Sequence, residues 1–426
     1  MAVAMVRLKA DTTGVSVVSG FSQTSQSQEV ITDIRVQGNV LTPDDEIQRL
    51  TGVEIGARFT DDLPETIAGR LKATHKFESV QVLKRYASIE DASKILLVVI
   101  VNEGKVKLEL FDDVEGARGP SRVVKSRGLG TLWFPLLDFE DGYGFSYGIQ
   151  LAKTKVAGPN SRLSFPLTWG GTKQAAAELE KNFSRGPLTR VQVGAGLLSR
   201  TNPFFEQDDN RQRAWVLAER AITSQLRVDG AAGWQHVDFM NAGDRFTHAG
   251  AGVTFDTRLD PFLPRNAVYA RASIEHFDFQ TAAAATRTEL DGRGYIGLIG
   301  QKVLVIRALR QDSNVPLPVY LQPMLGGMAN LRGFRAGSAI GDTLVAGAAE
   351  VRAPLTSPLS IGKMGVNAFM DIGTVYNKGQ QLSDQHFSRG IGGGLWFSAA
   401  FVHLNLLVAH GVGAGTRVHF GTSVTF

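Results

Sequence analysis

Arg332 stands alone in a glycine-bracketed stretch, Asn330-Leu331-Arg332-Gly333-Phe334, and two carboxylates, Glu350 and Asp371, follow it in segments whose alternate residues are small or apolar. A guanidinium is planar, always charged, and carries five donors in a fork that can serve two carboxylates at once; a lysine ammonium does this less well. The chemistry open to such a set is fastening rather than bond-making. Over Thr343–Ala353, Val345, Gly347, Ala349 and Val351 share one parity, and Glu350 and Arg352 share the other. Over Gly365–Tyr376, Val366, Ala368, Met370 and Ile372 oppose Asn367, Phe369 and Asp371. If the apolar parities meet lipid, both acids point inward on neighbouring strands. A carboxylate there is costly unless paired, and Arg332 is the natural partner. Gly327 and Gly333 give its loop the backbone freedom to fold back inside.

Other chemistries find no support. The chain has no cysteine, so no disulfide framework, thiolate nucleophile or thiolate metal site is expected. It has no Gly-x-Ser-x-Gly elbow, phosphate-binding loop or His-Glu-x-x-His pair. The glycine run Gly390–Leu395 reads as close backbone approach within a strand. His403 and His410 fall on opposite parities of one strand and cannot share a metal. The five tryptophans, Trp133, Trp169, Trp215, Trp234 and Trp396, read as interface or packing residues. With 45 basic and 41 acidic residues scattered along the chain, no nucleic-acid footprint is indicated. The expectation is a non-enzyme with no cofactor, no metal and no nucleic-acid partner.

The elements that carry these residues alternate. Phe145, Tyr147, Ile149 and Leu151 share a face against Ser146, Gly148 and Gln150. Ala249, Ala251, Val253 and Phe255 oppose His248, Gly250, Gly252 and Thr254. Val402, Leu404, Leu406 and Val408 oppose His403, Asn405, Leu407 and Ala409. About sixteen such segments are predicted over residues 142–426, about eleven before the Arg332 loop and five after. Segments near ten residues, tilted, cross the hydrocarbon, and a closed even-numbered barrel leaves no backbone group unpaired in lipid. A soluble β-sandwich or β-helix is the competing reading. The mixed Gly, Ser, Arg, Glu, Asn and His of the polar parity suits a wet lumen better, and Phe426 lies flush with the last strand. Trp169–Thr172 reads as a tight hairpin, and Arg200–Asn210 as a longer loop on the other side of the barrel. No run reaches the length of a transmembrane helix; the longest, Ile95–Val101, is strand-sized.

The front of the chain is different. Residues 1–28 read as a disordered, polar N-terminal segment. Their apolar start is too short for a signal peptide, so in an exported protein this start would be misplaced or truncated. Residues 29–104 read as a small β-α-α-β-β domain. Thr42, Pro43 and Asp45 are expected to open its first helix, Asp62 and Glu65 to box its second, and Leu63, Ile67 and Leu71 to share a face. Residues 105–141 read as a connector and candidate first-strand region.

The Gly38-Asn39 turn, the helix before Phe77–Val82 and the closing Asn102-Glu103-Gly104 resemble a POTRA domain, a periplasmic module that precedes certain outer-membrane barrels. Leu331–Phe334, Gly341–Leu355 and Phe369–Val375 resemble the barrel of the BamA/TamA-type outer-membrane assembly-factor superfamily. That resemblance implies a 16-stranded antiparallel transmembrane β-barrel preceded by a POTRA-like domain. It makes Arg332, Gly333 and Phe334 the locking tip of the sixth loop, with Glu350 and Asp371 as its inner-wall acids. Asp256–Ala267 is similar to the family's mid-barrel turn. His419, Gly421, Val424 and Phe426 fit the C-terminal β-signal. The implied function is insertion or translocation of unfolded polypeptides by strand pairing at a barrel seam. The implied partners are unfolded outer-membrane or secreted polypeptide clients, the lipid bilayer and periplasmic accessory proteins. The implied location is the outer membrane of a Gram-negative-type bacterium, with the small domain in the periplasm. A polypeptide-secretion pore, or the barrel of a secreted patatin-type lipase without its catalytic domain, is the alternative. One POTRA-like unit is visible, where BamA-like members carry five and TamA-like members three.

Overall fold

In the computed structural model the residues described are 29–39, 42–77, 79–88, 91–103, 106–109, 122–125, 131–258, 264–356, 362–399 and 402–424. The expected polar segment 1–28, the centre of the Asp256–Ala267 turn and the terminal Phe426 lie outside them.

The small domain runs strand Val30–Gln37, helix Asp44–Thr51, helix Leu63–Ala73, strand Ser79–Tyr86, strand Lys94–Asn102. The last strand lies between the other two, parallel to the first and antiparallel to the second. Its central place explains the unbroken Ile95–Val101 run: Ile95, Leu97, Val99 and Val101 pack under the helices with Ile67 and Leu71, and Leu96, Val98 and Ile100 form a second buried cluster. The two capping boxes do not form. Neither helix has a side-chain cap bond. The first helix begins at Asp44, with Asp44, Asp45 and Glu46 placing negative charge against its N-terminal dipole. Asn39 Nδ2 takes over the turn, donating to Thr42 O and Asp44 Oδ1.

The rest closes into a sixteen-stranded antiparallel barrel. Its first strand is Thr131–Glu140, inside the segment expected as connector and candidate first strand, so the barrel begins before residue 142. Eleven strands precede the Arg332 loop and five follow it. The twelfth, Thr343–Thr356, and thirteenth, Gly362–Tyr376, pair so that Glu350 faces Phe369 and Ala348 faces Asp371. The fourteenth to sixteenth are Ser388–Ala399, Val402–Gly411 and Gly415–Val424. Lys363, at the start of the thirteenth, pairs with Asp44 of the small domain at 3.0 Å, so one rim carries that domain.

The parities sort as expected. Tyr147, Val253, Ile274, Leu406 and Val408 are exposed on the outside, while Leu407 and Ala409 are buried within. Trp133, Trp169 and Trp234 are exposed, whereas Trp396 is buried beside Tyr295, Val303 and Val305. One expectation fails. The hairpin at Gly171 and the turn at 203–206 both join an odd strand to the next even one, so they share the rim opposite the small domain. The polar Gln207–Asn210 belongs to a strand, not a loop. The one long connection on that rim is 314–342.

The outward assignment of Ile274 is testable. Ile274→Arg, at the middle of strand Ala267–Phe279, puts a charge into lipid and should cost about 2–4 kcal/mol of folding free energy. The adjacent inward Ser273→Arg should cost under half of that. Urea-dependent folding into lipid vesicles measures both, and equal costs would overturn the assignment.

Candidate functional site

The long loop is built to re-enter the barrel. Met324–Leu325 pairs with Ala339–Ile340 to make its stem. Asn330 organises the tip: its Oδ1 accepts from Gly326 N–H at 2.8 Å and its Nδ2 donates to Met324 O at 2.9 Å. Gly327 N–H donates to Phe334 O. Gly327 and Gly333 have φ of 74° and 93°, left-handed values that a side chain would resist. Leu331 turns away from the cluster and is fully buried with Leu309, Leu325, Leu344 and Ala346.

The tip lays Arg332 across two strands. Its Nε and Nη2 donate to the two oxygens of Asp371, each at 2.7 Å, and its backbone N–H donates to the same carboxylate at 2.9 Å. Its Nη1 donates to Glu350 Oε2 at 2.5 Å. Glu350 Oε1 in turn accepts from Arg352 Nε at 2.7 Å and Asn367 Nδ2 at 3.1 Å. Two guanidinium groups thus balance two carboxylates. The side chains of Arg332, Glu350 and Asp371 are 11%, 8% and 2% exposed, so water competes little for these bonds. The guanidinium also lies 3.5 Å from the centre of the Phe369 ring, a cation–π contact that gains strength as water is excluded.

Phe334 and Gly333 lie against the wall beyond. A Cβ at Gly411 would sit 2.6 Å from Gly333 O and 2.8 Å from the Phe334 ring, and one at Gly390 would overlap the Arg332 carbonyl. Gly390 opens the glycine run of the fourteenth strand, which supplies the close approach expected of it. The loop's first limb is fixed on the opposite wall. Leu317 is buried with Val237, Phe239, Phe246, Phe277 and Phe279, and Tyr320 Oη donates to Asp244 at 2.5 Å. The loop therefore crosses the lumen. A cavity of about 160 Å³ remains on the Arg293–Arg307 side, and a larger one of about 560 Å³ beside Asp138, Glu140, Tyr143 and Arg200.

Of the residues expected at the site, Arg332, Gly333, Phe334, Glu350 and Asp371 come together. His419 lies in the same place, although it was expected only as part of a C-terminal signal: its Nε2 accepts from Gly333 N–H at 3.0 Å. Gly421 lies in the last strand where a Cβ would sit 2.9 Å from Met328 of the loop, and Val424 closes the described part of that strand. Phe369 and Arg352 are site residues that the parity pattern placed inside without giving them a role.

A closed barrel with an apolar outer face and a long loop pinned across its lumen defines a class, the transmembrane β-barrels. Residues 140–426 match the Omp85 superfamily domain, and the chain belongs to that superfamily. Among solved structures, BamA from Haemophilus ducreyi lacking POTRA domains 1–3 is similar with a TM-score of 0.59 and 14% identity, over 93% of this chain and 84% of that one. CdiB from Escherichia coli is similar with a TM-score of 0.53 and 12% identity, over 97% and 93%. CdiB from Acinetobacter baumannii is similar at 0.51 and 14%, over 94% and 74%. At these identities the likeness is one of fold. No curated protein matches the chain.

Removing one partner of a buried ion pair leaves an uncompensated charge, a loss of about 3–5 kcal/mol. Arg332→Ala should therefore destabilise the barrel by that order, read as a lower temperature for loss of its compact band on gels. The double variant Arg332→Ala/Asp371→Ala should recover part of the loss, because the orphaned carboxylate that took two of the guanidinium's bonds is gone. Strict additivity of the two single losses would show that the pair does not act as a unit.

Proposed function

We propose that this chain is an outer-membrane assembly factor that inserts unfolded polypeptides by strand pairing at its barrel seam, with the small domain in the periplasm. The observation that carries the reading is the seam itself. Among the described residues the first and last barrel strands share one ladder pair, Thr422↔Phe139. The ladder beside it runs unbroken from Val402↔Val424 to Gly411↔Gly415. Strand edges left unpaired in lipid are costly and template the addition of another strand. A client strand that pairs there never exposes its own backbone groups to hydrocarbon.

The small domain offers a second edge of the same kind. Val30–Gln37 is partly covered on its free side, with Ile31 N–H bonded to Ala57 O at 2.9 Å and Gly56 N–H to Ile31 O at 2.7 Å. Ser79–Tyr86 is the other outer strand of that sheet, and it suits β-augmentation by an extended client. In this reading Arg332, Glu350 and Asp371 lock the loop and hold the barrel's shape while the seam yields. His419, Gly421 and Val424 belong to the strand that must pair on both sides, which is the role of a C-terminal signal.

Depletion of the protein in cells, followed by a census of outer-membrane and secreted proteins, tests the proposal. The expected result is loss of integral barrel proteins from the membrane, with secreted proteins retained. Loss confined to secreted polypeptides would replace it with a secretion pore. An unchanged census would reject both.

A further inference from the structure

We infer that His419 is a positioning residue that fastens the loop tip to the barrel seam, so that docking of the loop and closure of the seam are one event. His419 is 3% exposed, in the middle of the last strand. Its Nε2 lies 3.0 Å from Gly333 N, and its Nδ1 lies 2.6 Å from Asp141 Oδ2. A backbone N–H can only donate, so Nε2 carries the lone pair. Nδ1 then carries the proton and donates it to the Asp141 carboxylate. One neutral tautomer satisfies both bonds.

The three residues belong to three elements. Gly333 is in the locking tip, His419 in the sixteenth strand, and Asp141 in the turn that follows the first strand. The imidazole therefore bridges the two sides of the seam and the loop at once. Its surroundings are shaped for this. A Cβ at Gly327 would sit 3.1 Å from Asp141 Oδ2, and one at Gly421 would sit 2.9 Å from Met328 Sδ, so the loop rests directly on both seam elements. Phe139 and Phe420 make an edge contact across the same seam, their ring centres 5.6 Å apart. The aromatic pair and, among the described residues, one ladder pair hold strand to strand. Among these contacts His419 alone also holds the loop. Through Gly333 the bridge continues to Arg332, Asp371 and Glu350, so the charge cluster acts on the seam from two strands of the opposite flank.

The consequence for client handling rests on the reading of the seam given above; the coupling is a property of the barrel alone, and its test uses no client. The chain lacks cysteine, so introduced pairs report cleanly. A spin-label pair at Leu137→Cys and Val418→Cys, both on the outer face, follows the seam in the full chain reconstituted in lipid vesicles. A second pair, Glu206→Cys and Arg335→Cys, replaces an exposed ion pair of 2.8 Å and follows loop docking through a short bis-maleimide cross-link. His419→Ala should broaden the seam distances and lower the docked fraction relative to the undocked about fivefold or more, the shift given by a hydrogen bond of ordinary net strength. Asp141→Ala, in an exterior turn, should do the same if His419→Ala fails to fold. Arg332→Ala should broaden the seam in the native background but add little once His419 is alanine. His419→Gln, whose Oε1 can accept from Gly333 and whose Nε2 can donate to Asp141, should restore both readouts. The inference is overturned if the folded alanine variants leave either readout unchanged, or if loop and seam respond independently. Coupling without any effect on client assembly would sink the proposed function and leave the inference standing; client assembly without coupling would do the reverse.

Discussion

One guanidinium shared by two carboxylates on adjacent strands fixes where everything inside the barrel can be. Arg332 spends its side-chain fork on Asp371 and Glu350 and its backbone N–H on Asp371, so the tip has no rotational freedom left relative to the twelfth and thirteenth strands. The rest of the tip then follows. Gly333 arrives against Gly411 and under His419, the Arg332 carbonyl against Gly390, and Leu331 into its apolar slot. Gly390 of the fourteenth strand takes the loop backbone, Gly411 of the fifteenth takes the Gly333 carbonyl and the Phe334 ring, and Gly421 of the sixteenth takes the Met328 side chain.

The choice of a charged fastening has a physical meaning. A buried ion pair is a weak way to gain stability, since apolar residues of similar volume often hold at least as well. An apolar tip, however, would expose its surface on release, whereas a guanidinium and carboxylates regain hydration when they part. The lock is specific in place because the planar fork fits two acids at one spacing. Apolar contacts flank the lock on both limbs: Leu331 and Phe334 at the tip, and Leu317 among the phenylalanines of the opposite wall. The charged set is found on the tip limb alone among these contacts.

What the sequence disclosed, and what it hid, divides along the same physical line. Lipid sets the period-two pattern, so the inner and outer faces, the strand number and the side on which Glu350 and Asp371 point could all be read locally. The lone Arg332 among glycines could be matched to those acids because a buried carboxylate demands a partner. His419 could be placed inside by parity, but its partner Asp141 lies at the far end of the barrel sequence. Only closure of the sheet brings the two within 2.6 Å, and nothing local encodes that register. Gln207–Asn210 looks like a loop because its outward residues, Asp208 and Asn210, are as polar as its inward Asp209. The missing capping box of the first helix reflects competition. Asn39 reached Thr42 and Asp44 first, and an acidic first turn already answers the helix dipole.

The thirteenth strand joins the two ends of the molecule. Lys363, at its near end, holds Asp44 at the start of the small domain's first helix, and Asp371, eight positions on, holds Arg332. An extended segment of that length spans roughly 27 Å at the rise of a β-strand, and pairing on both sides makes it stiff. Neither contact can shift along the strand without breaking ladders on two flanks. The contact to the small domain and the carboxylate that holds Arg332 by three bonds therefore lie on one strand. From there the contacts continue to His419 through Arg332 and the neighbouring Gly333. An event at the domain-side rim has in this way a short, fully hydrogen-bonded route to the seam, made of one strand, one guanidinium, one glycine N–H and one imidazole. Its weakest step is the last, a single neutral hydrogen bond, and a chain of contacts under load parts first at its weakest step.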